Sequence, residues 1–157
     1  DNTLKINIKG HCLITKHFVP LLLHDGTSSI INIGSIQSFM GKPNAITYSV
    51  CKAAIVQMTK NMAIDLGRQL YKIRVNCVCP GGVNTFNGSI LSANKYKNND
   101  INTISKQEWL NICNKPGIIK RKATVKEIAF SVLFFASNES SFCTGSILCC
   151  DGGTSCL

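Results

Sequence analysis

Short β-branched runs alternate with long helical segments along this chain, and that alternation constrains its fold most. Residues 29–34 (SIINIG) and 72–79 (KIRVNCVC) are rich in the side chains that strands favour. Between them, residues 45–68 place apolar side chains on one face of a helix. Strands joined by so long a helix pair in parallel, through a right-handed crossover. We therefore predict an α/β fold.

Three more elements complete the predicted order. Residues 4–23 have helical spacing, with a kink or an end expected near Pro20. Thr124, followed three residues later by Glu127, has the pattern of a capping box for a helix to about residue 136. Residues 145–150 (GSILCC) form a third strand. Three parallel strands leave faces and edges to cover, so we expect further strands before residue 1.

Composition excludes some functions. The 157 residues include 17 Lys+Arg against 8 Asp+Glu, a net charge of +9. No aromatic residues interleave with the one dense basic group, so we predict no nucleic-acid partner and interpret this group as solvated, with an anionic substrate or cofactor as the alternative. The group comprises Lys115, Lys120, Arg121, Lys122 and Lys126. No run reaches the roughly 18–20 apolar residues of a membrane span, and none has the pattern of a secretory signal.

The nine cysteines form no CxxC pair, and the three histidines all lie within the first 25 residues. A zinc site needs four converging ligands, so we predict no metal. An odd cysteine count in a chain of this length favours free thiols, buried as small hydrophobic groups. That usage indicates the cytoplasm or another reducing intracellular compartment.

Tyr48 and Lys52 are spaced to share one face of the second helix. Alone this spacing is weak, since a lysine stem often covers a tyrosine ring. However, Ser35 and Pro80-Gly81 each follow a strand, and the carboxyl ends of parallel strands form the ligand crevice. A phenol with an ordinary pKa of about 10 becomes a better acid/base beside an ammonium. The set suits hydride transfer coupled to proton transfer, with the Ser35 hydroxyl donating to the substrate oxygen.

Five ordered motifs resemble the short-chain dehydrogenase/reductase family, whose fold is a Rossmann-type doubly wound parallel sheet. The resemblance covers essentially all 157 residues. The motifs are KINIKG with Asn7, IINIGS ending at Ser35, YSVCKAAI at 48–55, IRVNCVCPGGVNT at 73–85 and FFASNESSFCTGSILCCDGG at 134–153.

The resemblance implies roles for individual residues. Tyr48 would be the acid/base, and Lys52 would lower its pKa and hold the ribose of NAD or NADP, a choice that the sequence does not reveal. Ser35 would polarise the substrate oxygen, and Asn7 would hold a water that links Lys52 to solvent. The nicotinamide end of the site would be shaped by Pro80, Gly81, Val83 and Thr85.

The resemblance also implies larger features. Residues 86–116 would bind the substrate, a small-molecule alcohol or ketone. The helices at 4–23 and 45–68 would build a homodimer or homotetramer. Asn32 and Asn76 also match the family, and we interpret them as structural. Gly34 stands where the family often has serine, a change that we expect to be tolerated.

The family's glycine-rich TGxxxGxG turn is not in this sequence. We therefore interpret residues 1–157 as a single partial Rossmann-type domain that holds only the later strands. One hypothesis is an NAD(P)-dependent oxidoreductase acting on a 3-oxoacyl, hydroxysteroid or hydroxy-acid type substrate, with about 90–110 residues upstream that carry the turn. The alternative is a truncated, non-catalytic domain that acts through helix-mediated association.

Overall fold

A computed structural model describes residues 2–23, 27–85 and 117–157. Its three strands, β1 (Ser28–Ile33), β2 (Ile73–Pro80) and β3 (Ile147–Cys150), form one sheet in the order β1-β2-β3. Both pairings are parallel, with Ser28 opposite Ile73 and Cys77 opposite Ile147. The predicted α/β fold with a parallel three-stranded sheet is confirmed.

The first helical segment has three parts, α1 (Asn2–Leu4), a π-helical turn (Lys5–Lys9) and α2 (Gly10–Leu22). In the π-helical turn, the Gly10 N–H donates to the Lys5 carbonyl, five residues back. The helix does not end at Pro20 but continues through it to Leu22. So close to the helix end, the ring removes only one hydrogen bond from the last turn, which explains why it is accommodated.

Two further helices flank the sheet, α3 (Ile46–Arg68) and α4 (Val125–Ala136). The capping box predicted for α4 is confirmed: the Thr124 hydroxyl accepts from the Glu127 N–H, and the Glu127 carboxylate accepts from the Thr124 N–H at 2.8 Å. Three short 3₁₀ turns complete the described elements, at Ile36–Ser38, Asn138–Ser140 and Thr154–Cys156.

The core lies between α3 and the central strand β2. One cluster comprises Ile55, Val56, Cys77 and Cys79, and a second comprises Ala63, Leu66, Ile73 and Val75. Two buried amides join elements around this core. Asn32 donates to the Thr59 hydroxyl at 2.9 Å, and Asn76 donates to the Cys143 carbonyl at 2.8 Å. Both contacts agree with a structural role.

The eight cysteines among the described residues are all free. Cys51, Cys77 and Cys79 are buried, as expected of small hydrophobic groups. The same expectation is wrong for Cys12, Cys149 and Cys156, which are exposed. Cys149 is the one exposed residue of β3, which is an edge strand of the described sheet.

Within residues 2–23, 27–85 and 117–157, no helix is both long and apolar enough to cross a bilayer. The same residues contain no group of three or more His, Cys, Asp or Glu side chains arranged to hold a metal ion.

Candidate active site

Ser35 lies just beyond the carboxyl end of β1. The chain leaves the strand with the Gly34 N–H donating to the Val78 carbonyl at 2.8 Å, which holds the strand end against β2. Ser35 then caps the 3₁₀ turn Ile36–Ser38, and its hydroxyl oxygen accepts from the Gln37 N–H at 3.2 Å. The residue is only 7% exposed. Its position is therefore set by the strand end and the turn together.

The structure brings Tyr48 and Lys52 together at the same end of the sheet. Both lie near the start of α3, and the Lys52 Nζ is 5.7 Å from the centre of the Tyr48 ring. The same ammonium donates to the Ile33 carbonyl at 2.8 Å and so ties α3 to the end of β1. Burial lowers the pKa of Lys52 below its ordinary value. Tyr48 remains 40% exposed, which leaves its ring accessible to a ligand.

The loop after β2 is held by close backbone packing. Pro80 is the last residue of the strand, and the Gly81 N–H donates to the Cys150 carbonyl at 3.0 Å. A Cβ atom on Gly81 would lie 2.7 Å from the Cα of Asp151, so only glycine allows this approach. Val83 then forms a parallel bridge with Ala123. Thr85 is the last residue described before residues 86–116, the predicted substrate segment, which lies outside the described residues.

The bridge between Val83 and Ala123 places one residue of the basic group, Lys122, next to this loop. The Ala123 N–H donates to the Gly82 carbonyl at 2.9 Å, which sets Lys122 directly beside the loop. Arg121 has a partner of its own, the Glu127 carboxylate, at 2.6 Å. Lys115 lies outside the described residues.

Asn7 lies at the centre of the π-helical turn. Its side-chain amide donates to the Thr3 carbonyl at 3.1 Å, a bond within the same helical segment. No hydrogen bond found among the described residues joins this amide to Lys52. The water-holding role implied for Asn7 therefore stays a prediction.

The sequence patterns assigned no role to His11, whose pKa is affected by the charge of Lys52. Its half-buried ring interacts with the backbone carbonyls of Ile6 and Asn7. Burial, and then the charge of Lys52, lower the pKa of His11. The signal was present in the sequence, because His11 follows Asn7 by four residues and so shares its helix face.

Gly34 packs closely against two buried cysteines of β2, Cys77 and Cys79. A Cβ atom at position 34 would lie 2.5 Å from the Cys79 Sγ and 3.0 Å from the Cys77 Sγ. These sulfurs are 3.8 Å apart, and the hydrogen bond between them is the main cause of a lowered pKa at Cys77. Cys77 and Cys79 are two residues apart on β2, and alternate residues of a strand face the same side of the sheet. The sequence therefore indicated that the two thiols are neighbours.

The chain is similar to known proteins over nearly its whole length. Residues 1–155 match the profile of a family described as enoyl-(acyl carrier protein) reductase. An uncharacterized oxidoreductase of Thermotoga maritima is 36% identical over 154 residues, which cover 98% of this chain and 57% of the relative.

Solved structures share the fold as well. A short chain dehydrogenase family protein from Francisella tularensis matches with a TM-score of 0.84 and 36% identity, over 98% of this chain and 61% of the other. A gluconate 5-dehydrogenase from Burkholderia cenocepacia, solved with NADP and tartrate, is 27% identical with a TM-score of 0.79, over 98% of this chain and 55% of the other. The chain thus spans 55–61% of the length of these relatives.

Proposed function

This chain belongs to the short-chain dehydrogenase/reductase family, and on that premise we propose that the protein containing it is an NAD(P)-dependent oxidoreductase. It interconverts a secondary alcohol and a ketone. The observation that carries the proposal is the placement of Tyr48 and Lys52 on one turn of α3, with Lys52 bound to the carbonyl of Ile33 at the end of β1.

When bound, a nicotinamide cofactor would supply the hydride chemistry at the substrate carbon. Tyr48 gives its hydroxyl proton to the substrate oxygen during reduction and takes that proton back during oxidation. The nearby ammonium of Lys52 stabilises the phenolate form of Tyr48, since opposite charges favour each other. The Ser35 hydroxyl donates to the substrate oxygen as negative charge develops there.

The donor set suits the nicotinamide riboside end of NAD or NADP. An ammonium has three N–H donors, and Lys52 uses one of them on the Ile33 carbonyl. The other two suit a pair of ribose hydroxyls. The loop residues Pro80, Gly81, Val83 and Thr85 would shape the nicotinamide end, because this loop leaves β2 at the same end of the sheet as Ser35. A NADP-bound structure among the similar proteins supports this cofactor class.

Residues 86–116 are the proposed substrate-binding segment, and the substrate is of 3-oxoacyl, hydroxysteroid or hydroxy-acid type. The stem of the Lys122 side chain lies beside Gly82 in the nicotinamide loop, and Lys122 is the basic residue that would supply positive charge there. Opposite charge near a site raises the local concentration of an anionic ligand. This position favours a substrate with a carboxylate or a phosphate over a neutral one.

The test of the proposal is Tyr48→Phe in the full-length protein. We expect turnover of a 3-oxoacyl or hydroxy-acid substrate to fall by at least about a hundredfold, because the phenyl ring holds no transferable proton. Cofactor affinity, measured by NADPH fluorescence titration, should stay within a few-fold because the ring remains. Tyr71→Phe is the matched control, since Tyr71 packs against the core cluster at the opposite end of α3. Unchanged turnover in Tyr48→Phe would contradict the role.

A second candidate function rests on the apolar side chains exposed on α2 and α3, which favour association through these helices. Under this alternative, the domain binds a related protein and performs no chemistry. A protein that forms stable oligomers but turns over no alcohol or ketone with either nicotinamide would support this alternative.

A further inference from the structure

The motif Asp151-Gly152-Gly153 takes no part in the proposed reaction, but it forms a tight turn directly after β3. Gly152 and Gly153 have φ angles of 64° and 78°, in the left-handed region that favours glycine. The Asp151 carboxylate spans this turn. One of its oxygens accepts from the Gly153 N–H at 3.0 Å, and the other accepts from the Ser155 N–H at 2.7 Å. The side chain of Asp151 therefore fixes the conformation of the turn.

The turn packs against the loop that follows β2. The Gly81 N–H donates to the Cys150 carbonyl at 3.0 Å. A Cβ atom on Gly81 would lie 2.7 Å from the Cα and 2.8 Å from the Cβ of Asp151, so the two residues are in close contact. Because Gly81 belongs to the loop proposed to shape the nicotinamide end of the site, Asp151 borders that end.

The turn also holds the residues that directly follow the proposed substrate-binding segment, residues 86–116. The Ile119 N–H donates to the Gly152 carbonyl at 2.9 Å. Gly117 is buried against the same turn, where a Cβ atom would lie 2.5 Å from the Gly152 oxygen and 2.6 Å from the Thr154 Oγ1. Packing this close leaves the chain little freedom to shift relative to the turn.

The residues just before the same segment are held by different contacts. The Asn84 N–H donates to the Ala123 carbonyl at 2.9 Å, and the Ala123 N–H donates to the Gly82 carbonyl at 2.9 Å. Neither bond involves the Asp151 carboxylate. A change in this carboxylate should therefore move the downstream end of residues 86–116 and leave the upstream end in place.

We propose that Asp151 is a positioning residue for the substrate, because its carboxylate shapes the turn that sets the downstream end of residues 86–116 beside the nicotinamide loop. This inference rests on the proposed oxidoreductase function and extends it to a residue outside the reacting set. No hydrogen bond found among the described residues joins this carboxylate to Ser35, Tyr48 or Lys52, so Asp151 acts through the chain and not on the reacting atoms.

The charge of Asp151 suits this role. Burial would raise its pKa, but the hydrogen bonds from Ser155 and Gly153 outweigh burial, so the pKa lies below its ordinary value. The carboxylate is therefore ionised at neutral pH, and hydrogen bonds to an ionised acceptor are stronger than those to a neutral one.

The first experiment is Asp151→Asn in the full-length protein. Asparagine has the same shape but only one acceptor oxygen, so its NH2 group meets one of the two N–H donors of the turn. We expect the KM for a 3-oxoacyl or hydroxy-acid substrate to rise about tenfold, as loss of a charged hydrogen bond allows. The kcat should change far less. Cofactor affinity, measured by nicotinamide fluorescence titration, should not change, because the Cα and Cβ that touch Gly81 are retained.

Glu139→Gln is the matched control for Asp151→Asn. It makes the same change from carboxylate to amide in an exposed turn, Asn138–Ser140. All three quantities should stay at their original values in this variant.

The second experiment disturbs the same contact from the other side. Gly117→Ala places a Cβ against the Gly152 carbonyl, so it should raise the substrate KM and spare cofactor affinity as Asp151→Asn does. Gly41→Ala is the control, because a Cβ there would meet nothing within 4 Å. If Gly117→Ala does not fold, the result for Asp151→Asn decides alone.

The outcomes separate the two proposals. An unchanged substrate KM in Asp151→Asn would overturn the role of Asp151, provided that the unmodified protein turns over its substrate. An equal loss of cofactor affinity would also overturn it, since that loss indicates a general loosening of this end of the sheet. Failure of the unmodified protein to turn over any alcohol or ketone would instead overturn the oxidoreductase function, and the role of Asp151 with it.

Discussion

Only glycine fits at position 34, because a larger side chain there would collide with two side chains of β2. Both sulfurs that a Cβ would meet belong to residues with no exposed surface, so neither can move into solvent. We expect Gly34→Ala to lower the free energy of unfolding by about 1–3 kcal/mol, the usual cost of forcing atoms into a packed core. Urea unfolding measures this loss.

Gly41→Ala is the control for that substitution, because a Cβ there would meet nothing within 4 Å. Cys79→Ala combined with Gly34→Ala should cost less than the sum of the two single changes, because the closest clash is then removed. A stability of Gly34→Ala equal to that of Gly41→Ala would contradict the packing argument.

The start of α4 combines a capping box with an ion pair. Arg121 donates to both carboxylate oxygens of Glu127, at 2.8 and 2.6 Å, and these bonds, with those from Thr124, hold the pKa of Glu127 down to about 2. Because this pKa is lower in the folded than in the unfolded chain, Glu127 stabilises the fold fully above about pH 4.3. That contribution is lost as the pH falls towards 2.

Glu127→Gln should therefore lower the Tm at pH 7 and leave it nearly unchanged at pH 2. The effect should be modest, because both partners are exposed. Thermal unfolding followed by circular dichroism at the two pH values measures it. Glu139→Gln, at another exposed turn, is the control. An equal Tm difference at both pH values would contradict the assignment.

At the scale of the molecule, the two long helices present apolar side chains to solvent. Ile14, Phe18 and Leu21 of α2 are 63%, 54% and 61% exposed. We propose that α2 and α3 form the interface of a homodimer or homotetramer, since a patch of this kind on a helix face marks an association site.

Phe18→Asp should shift the full-length protein to a smaller assembly, because it buries a charge in that interface. Size-exclusion chromatography with light scattering measures the mass. Leu70→Asp is the matched control, because Leu70 is 88% exposed and lies beyond the end of α3. An unchanged mass in Phe18→Asp would exclude α2 from the interface.

Local patterns predicted most of the fold. The β-branched runs around Ile30 and Val75, and the capping box of Thr124, depend on residues close in sequence, so each could be read directly. The proximity of Tyr48 and Lys52 followed from helical spacing. The close packing of Gly34 against Cys79 and the electrostatic effect of Lys52 on His11 depend on how separate elements pack. No single segment of the sequence encodes such contacts. The helix continues through Pro20 for a local reason: the ring lies in the last turn, where the helix loses little by it.

The order of the strands has a consequence for how this sheet assembles. Every residue pair between β1 and β2 joins a residue that precedes α3 in the sequence to one that follows it, as Ser28 with Ile73 does. The residue pairs between β2 and β3 are separated by an even longer stretch of sequence, as Cys77 and Ile147 are. Contacts so distant in sequence close long loops, and such topologies fold slowly. The helices can form early from local contacts, whereas β2 must wait for both of its neighbours, and until then its apolar face is open to aggregation.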